Sequence, residues 1–237
     1  MKKGKIYGIS LGPGDPDLIT VKGLKTLQAV DKIYYPGSLH KDGIKKSYSL
    51  QVLDNYDLDQ EKLNGFYLNM TIDRIHVDAV YENTFQQIKI DYNNGLHVAV
   101  VSEGDLSTYS SFSYLLEKFQ KENLEVVLVP GITSFHLGAA VIQKPLALLN
   151  QTIKVLPMLQ SSKDLEEALQ GSDTVVLMKI KSSLKYIVPL LSTKAISFTY
   201  CEKLGTEDQF ITSSLNEIQE REIPYFSLLI IKQTNYS

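Results

Sequence analysis

Tryptophan is absent from the 237 residues, cysteine occurs once, at Cys201, and histidine four times. A lone cysteine excludes an intramolecular disulfide framework and any multi-cysteine zinc site. His40, His76, His97 and His136 are scattered and make no His-Glu-x-x-His pair, so no protein-bound metal is expected. An excess of one charge is also lacking: 24 basic side chains stand against 27 acidic ones, a formal net charge of -3. Nucleic-acid binders need concentrated positive surface, so no nucleic-acid partner is expected. No apolar run is long enough to span a membrane, and the basic start leads into a short strand without a cleavage pattern. The expectation is a soluble cytoplasmic enzyme with no membrane partner.

What is present suits two compact halves. Hydrophobic residues make up 43% and charged residues 22%, ordinary usage for a chain that buries its core without a disulfide or metal. Residues 6–11 read as a buried strand ending in the sharp loop Gly12-Pro13-Gly14-Asp15-Pro16. Thr20 is placed to cap a helix running to about residue 30, and a second strand over 32–35 should stop at Pro36-Gly37. The polar stretch 38–69 reads as a surface excursion with little regular structure. A helix is expected over 72–92, strands over 97–101 and 125–129, and helices over 109–120 and 134–142. Strands alternating with helices imply parallel sheet. A hinge near Lys144-Pro145 divides the chain into residues 1–143 and 144–237. The second part carries expected strands at 152–156, 174–178 and 195–200, and its end reads as strands closing a mixed sheet. The fold class is therefore α/β with two domains, each a mixed or mostly parallel sheet flanked by helices.

The chemistry-bearing residues lie in loops after strands. Gly12 to Pro16 matches neither the dinucleotide fingerprint nor a phosphate-binding loop with its lysine. A second loop, Ser102-Glu103-Gly104-Asp105-Leu106, and a third, Pro130-Gly131-Ile132-Thr133-Ser134, follow later strands in the same way. Ligands bind open α/β sheets at the carboxyl ends of strands, where backbone donors are unpaired. Asp105 suits either a ligand hydroxyl or amine or a local Asx turn. Thr133 and Ser134 suit a ligand or the cap of the next helix. The run 107–114, rich in hydroxyl and aromatic side chains, brings Tyr109 and Ser110 near Asp105 in sequence. Cys201 has little basic company, so covalent catalysis through it lacks support.

Taken in order, these blocks resemble the tetrapyrrole methylase family of S-adenosylmethionine-dependent enzymes. They are Tyr7-Gly8-Ile9-Ser10-Leu11-Gly12-Pro13-Gly14-Asp15-Pro16-Asp17-Leu18-Ile19-Thr20, Glu103 to Phe112 and Val129-Pro130-Gly131-Ile132-Thr133-Ser134-Phe135. Looser blocks, Val155-Leu156-Pro157 and Val176-Leu177-Met178-Lys179, extend the resemblance through the second part. The Tyr109-Ser110-Ser111-Phe112 continuation is similar to that of the group methylating C20 of precorrin-2 or cobalt-precorrin-2 in cobalamin biosynthesis. The family usually has proline after the Gly-Asp pair, whereas this chain has Leu106.

The resemblance implies that S-adenosylmethionine lies in a cleft between the domains. Gly104, Asp105, Thr108, Thr133 and Ser134 would line its pocket, with Met178 and the regions of Tyr200 and residues 226–229 approaching from the second domain. It further implies a reduced tetrapyrrole substrate and a homodimer. Asp15 is the first candidate for orienting a pyrrole nitrogen or removing a proton, and Tyr109 is the second. Lys41, Lys45 and Lys46 are placed either to steer the substrate's carboxylates or to be solvated surface. Three alternatives remain at this point: methylation of another corrin carbon, action on uroporphyrinogen III, or tetrapyrrole binding without catalysis.

Overall fold

The first apolar run folds into β1 (Lys5–Ser10), which lies between two parallel neighbours, β5 (His97–Ser102) and β6 (Val126–Val129). In the computed structural model the described residues are 3–40, 42–69, 74–194 and 196–233. The rest of the first sheet is β2 (Lys32–Leu39), β3 (Lys45–Lys46) and β4 (Leu63–Asn69), with β2 parallel to both β5 and β4. Alternation along the central strands sends side chains to opposite faces. Ile6, Val98 and Val100 join a core with Tyr81, Phe85 and Ile88 of α3 (Arg74–Asn93) and Phe112, Leu115 and Phe119 of α4 (Phe112–Lys121). Ile9, Ala99 and Val101 face Leu27 of α1 (Val21–Ala29) and Val52 and Leu53 of α2 (Tyr48–Leu53). Each large aliphatic side chain so buried contributes about 1.5–3 kcal/mol. The cap expected at Thr20 is present: its hydroxyl accepts the Gly23 N–H at 3.1 Å.

Two readings of this region are corrected. Pro36-Gly37 does not end β2, which runs on to Leu39, because β2 pairs with β5 only through Tyr34 and a missing proline donor matters less beyond that point. The excursion 38–69 is also more ordered than its polarity suggests. Tyr67 lies across Gly37, where an added Cβ would sit 2.6 Å from its ring. Tyr35 and Tyr67 join hydroxyls at 3.1 Å, so the pair of strands is held by aromatic rings lying over glycines. Lys41, residues 72 and 73 of the helix expected over 72–92 and residue 195 of an expected strand lie outside the described residues.

The chain divides into compact units Met1–Thr133 and Ser134–Ser237, so the division falls before the expected 143/144 boundary. Helix α5 (Ser134–Val141) is responsible. Its Phe135 shares a core with Val176, Cys201, Leu228 and Ile230 of the second sheet, and a Cβ on Gly138 would lie 3.2 Å from Ile230. That sheet has the order β10 (Phe210–Thr212), β9 (Phe198–Glu202), β11 (Ser227–Lys232), β8 (Thr174–Met178), β7 (Ile153–Leu156). Only β7 and β8 are parallel, which makes it the mixed sheet expected. Its other face packs against α6 (Ser162–Gln170), α7 (Leu184–Thr193) and α8 (Leu215–Gln219) through Leu165, Ile187 and Ile218. Among the described residues no helix is long and apolar enough to cross a membrane, and no group of three or more His, Cys, Asp and Glu side chains is placed to hold a metal.

Cys201 is fully buried on β9, and burial pushes its thiol up to about 12. The native protein should therefore resist a thiol reagent at pH 8 and take up one equivalent once denatured. Rapid stoichiometric labelling of the native state would contradict this placement.

Candidate functional site

Because β1 lies between β5 and β6, the loops after all three strands emerge side by side at the carboxyl edge of the first sheet. The loop after β1 continues the ladder: Leu11 N–H donates to Ser102 O at 2.9 Å, and Gly12 and Gly104 exchange N–H to O bonds of 3.2 and 2.6 Å. Gly12 has φ +84, and a Cβ there would lie 3.1 Å from the Leu18 carbonyl, so glycine is required. Asp15 then starts a short 3-10 turn (Pro16–Leu18), its Oδ1 accepting the Asp17 N–H at 2.9 Å. Tyr56 braces the turn by donating its hydroxyl to Pro16 O at 2.7 Å. Burial, with the negative Asp17 and Asp15 nearby, pushes that phenol up to about 12, so it remains a donor at neutral pH.

Asp105 is the hub of the edge. Its Oδ2 accepts the Gly131 N–H at 2.8 Å and faces the Ser10 hydroxyl at 3.4 Å; its Oδ1 accepts the Ser107 N–H at 2.9 Å and the Ser107 hydroxyl. One buried carboxylate thus joins the ends of β1, β5 and β6. Burial alone would push its carboxyl up, but the bonds from Ser107, Gly131 and Ser10 together hold it below the usual carboxylate range. Both alternatives raised for this residue bear on its carboxylate, and the Asx turn with Ser107 is the one in place.

The rest of the second loop is clipped by its own hydroxyls. Ser102 and Ser110 share a hydrogen bond of 2.7 Å, and Thr108 N–H reaches back to Asp105 O at 3.2 Å. Glu103 Oε1 accepts the backbone N–H of Ser49 at 3.1 Å and its hydroxyl at 2.6 Å, tying α2 to the loop. Tyr109 has φ 52, an uncommon conformation for a non-glycine residue, and its side chain is 45% exposed. Gly104 has φ +67, and a Cβ placed on it would meet nothing within 4 Å. The space beside its Cα is therefore open at the edge where ligands are expected, while its N–H and C=O are taken up by Gly12. Gly131 is the opposite case: a Cβ would lie 2.5 Å from Ser10 Cβ, so it is a packing glycine.

The first unit thus brings together Asp15's loop, Gly104, Asp105, Thr108, Tyr109 and the buried Thr133. Ser134 begins α5 in the second unit. Met178 ends β8 and is half-buried against the α5 side of the second sheet. The expectation for Tyr200 is corrected. Its side chain is fully buried in the opposite core, with its hydroxyl donated to Glu202, whose other oxygen accepts from Arg221 at 2.6 Å. Strand alternation places Tyr200 away from Cys201 and Met178. Ser10, Glu103 and Ser49 were missed. For Ser10 the available signal is a small polar residue closing an otherwise apolar strand.

The tetrapyrrole (corrin/porphyrin) methylase family model matches residues 5–219. A protein named probable cobalt-precorrin-2 C(20)-methyltransferase from Methanocaldococcus jannaschii is 30% identical over 231 residues, covering 97% of this chain and 96% of that one. The cobalt-precorrin-2 C(20)-methyltransferase of Salmonella typhimurium is 30% identical over 241 residues, 99% of each chain. Among solved structures, the uroporphyrin-III C-methyltransferase of Thermus thermophilus complexed with S-adenosylhomocysteine superposes with a TM-score of 0.67 at 16% identity, covering 97% of this chain and 98% of that one.

Asp105→Asn would set an amide N–H2 or a lone acceptor against several donors and should destabilise the protein by about 1–3 kcal/mol at neutral pH. The folded carboxyl sits below its ordinary value, so its contribution is complete above about pH 3.9 and is lost as pH falls through the lowered folded value. Thermal melts of both proteins should therefore converge on acidification. A gap that stays constant down to pH 2 would show that the ionised form is not what matters.

Proposed function

The chain belongs to the tetrapyrrole methylase family, and from that membership we propose that it is an S-adenosylmethionine-dependent C-methyltransferase acting at C20 of precorrin-2 or cobalt-precorrin-2 in cobalamin biosynthesis. The observation that carries this reading is the end-to-end 30% identity to two proteins named for that reaction. The edge of the first sheet suits the cofactor: Gly104 leaves open space beside its Cα, next to the half-buried Thr108 and beside a carboxylate that fixes the loops. Gly104, Asp105, Thr108 and Thr133 are the residues proposed to hold it.

S-adenosylmethionine supplies an electrophilic methyl group on a sulfonium. The reduced tetrapyrrole brings its own electron-rich carbon, so the protein's task is alignment and exclusion of water. A proton leaves the methylated carbon after transfer. Asp15 is suited to accept it or to orient a pyrrole N–H, because one of its oxygens serves the Asp17 turn and the other makes no hydrogen bond among the described residues. Tyr109 is the second group proposed, presented by its left-handed backbone. Lys45 and Lys46, exposed on β3, are proposed to draw in the substrate's carboxylates. The same reading includes a cytoplasmic homodimer.

Anaerobic transfer from methyl-labelled S-adenosylmethionine to precorrin-2, with and without cobalt, should place label at C20. The rate ratio then separates the two substrates. Label at another corrin carbon, or none while the cofactor binds, would overturn the assignment. Asp15→Ala should lower kcat about a hundredfold or more while the Kd for S-adenosylhomocysteine stays within about twofold, and Tyr109→Phe should also lower kcat. Unchanged turnover in both variants would remove these roles.

A further inference from the structure

Ser10 closes β1 with a side chain that is wholly buried, far from any role a surface hydroxyl could have. Its oxygen accepts the Leu106 backbone N–H at 3.0 Å, and its proton is directed at Asp105 Oδ2, 3.4 Å away. A serine hydroxyl has one proton to give and lone pairs to receive, and both capacities are directed at consecutive residues of one loop. Leu106 is held from its other end too, since its side chain is buried in the core with Phe112 and Leu115. Gly131 hems the hydroxyl in, as a Cβ there would lie 2.5 Å from Ser10 Cβ and 3.0 Å from Gly104 O. The residue immediately before this clamp is Gly104, which leaves open space beside its Cα.

We infer that Ser10 is the positioning residue of the cofactor loop: it fixes the Gly104-Asp105-Leu106 backbone by hydrogen bonding from the neighbouring strand. A proline at position 106 has no N–H to give and would restrict the loop through its ring instead. Leucine keeps the N–H, and Ser10 takes it up in a buried bond. Ser10 touches neither cofactor nor substrate in this account; it acts through the loop, and the inference rests on the cofactor reading given above.

The test measures S-adenosylhomocysteine affinity by calorimetry for the unaltered protein, Ser10→Ala, Leu106→Pro and the double variant, together with hydrogen exchange at the Leu106 amide. Ser10→Ala should weaken binding about fivefold, the size expected for one buried hydrogen bond. It should speed exchange at Leu106 while amides of Ile9 and Val101 keep their protection. In the Leu106→Pro background the same change should cost less affinity, because the Leu106 bond is already gone and only the longer 3.4 Å bond to Asp105 is left to lose. An equal loss in both backgrounds, or a Ser10→Ala protein with unchanged affinity and exchange, overturns the inference. So does a Leu106 amide in the unaltered protein that exchanges as fast as an exposed one, whether or not the variants fold. Failure of the unaltered protein to bind S-adenosylhomocysteine would overturn the cofactor reading instead, and the Leu106 amide would still judge the Ser10 bond.

Discussion

The carboxylate of Asp105 is the constraint on which the candidate site depends. It is a buried charge, and a buried charge is tolerated only when nearby donors replace the water it has lost. Here those donors come from the loop itself, from the Ser10 hydroxyl at the end of β1 and from the Gly131 backbone beyond β6. The strand order makes this possible, since β1 is the shared neighbour of β5 and β6. If either partner strand shifted by one residue, its loop would present a different group and the carboxylate would be left short of donors. The register of the sheet and the shape of its ligand edge are therefore a single property.

That arrangement divides the glycines into two kinds. Gly12 and Gly131 are small because other backbone approaches them within van der Waals distance. Gly104 has no such neighbour in the direction of a Cβ, and its positive φ turns that side toward open space. Packing accounts for the first pair, and the second kind needs a ligand or the turn itself. The surrounding scaffold is stiff enough to preserve this difference: the sheet has a buried aliphatic and aromatic core on each face, and Tyr56 and Glu103 pin the first and second loops to neighbouring segments.

Much of this was legible in the residues alone. Apolar runs ending in glycine loops gave the parallel strands, Thr20 marked its helix, and the ordered blocks pointed to the family. What escaped notice depended on partners distant in sequence. Pro36-Gly37 looks like a stop, but whether proline breaks a strand depends on which neighbour needs its N–H, and that is set by β5 ending its pairing early. The glycines and tyrosines of 35–67 look like loop composition until Tyr67 is placed across Gly37. Tyr200 is expected near the cofactor, yet alternation along β9 turns it into the core, where its hydroxyl donates a hydrogen bond to Glu202. The helix over 134–142 is expected within the first part of the chain; its Phe135 and Gly138 belong with the second sheet.

The same hydrogen bonds bear on the chemistry. A carboxylate that already accepts from Ser107, Gly131 and Ser10, and is held below its ordinary pKa, is a poor proton acceptor. Asp105 is conspicuous in the motif, but its carboxylate is already engaged by these donors. On the proposed reading a proton-handling side chain needs an acceptor left over, and Asp15 has one oxygen bound to its own turn and another without a hydrogen bond among the described residues. A methyl transfer in which the substrate supplies the nucleophile needs accurate placement more than a strong base. An edge whose most buried charge is used to hold three loops in register is built for that requirement.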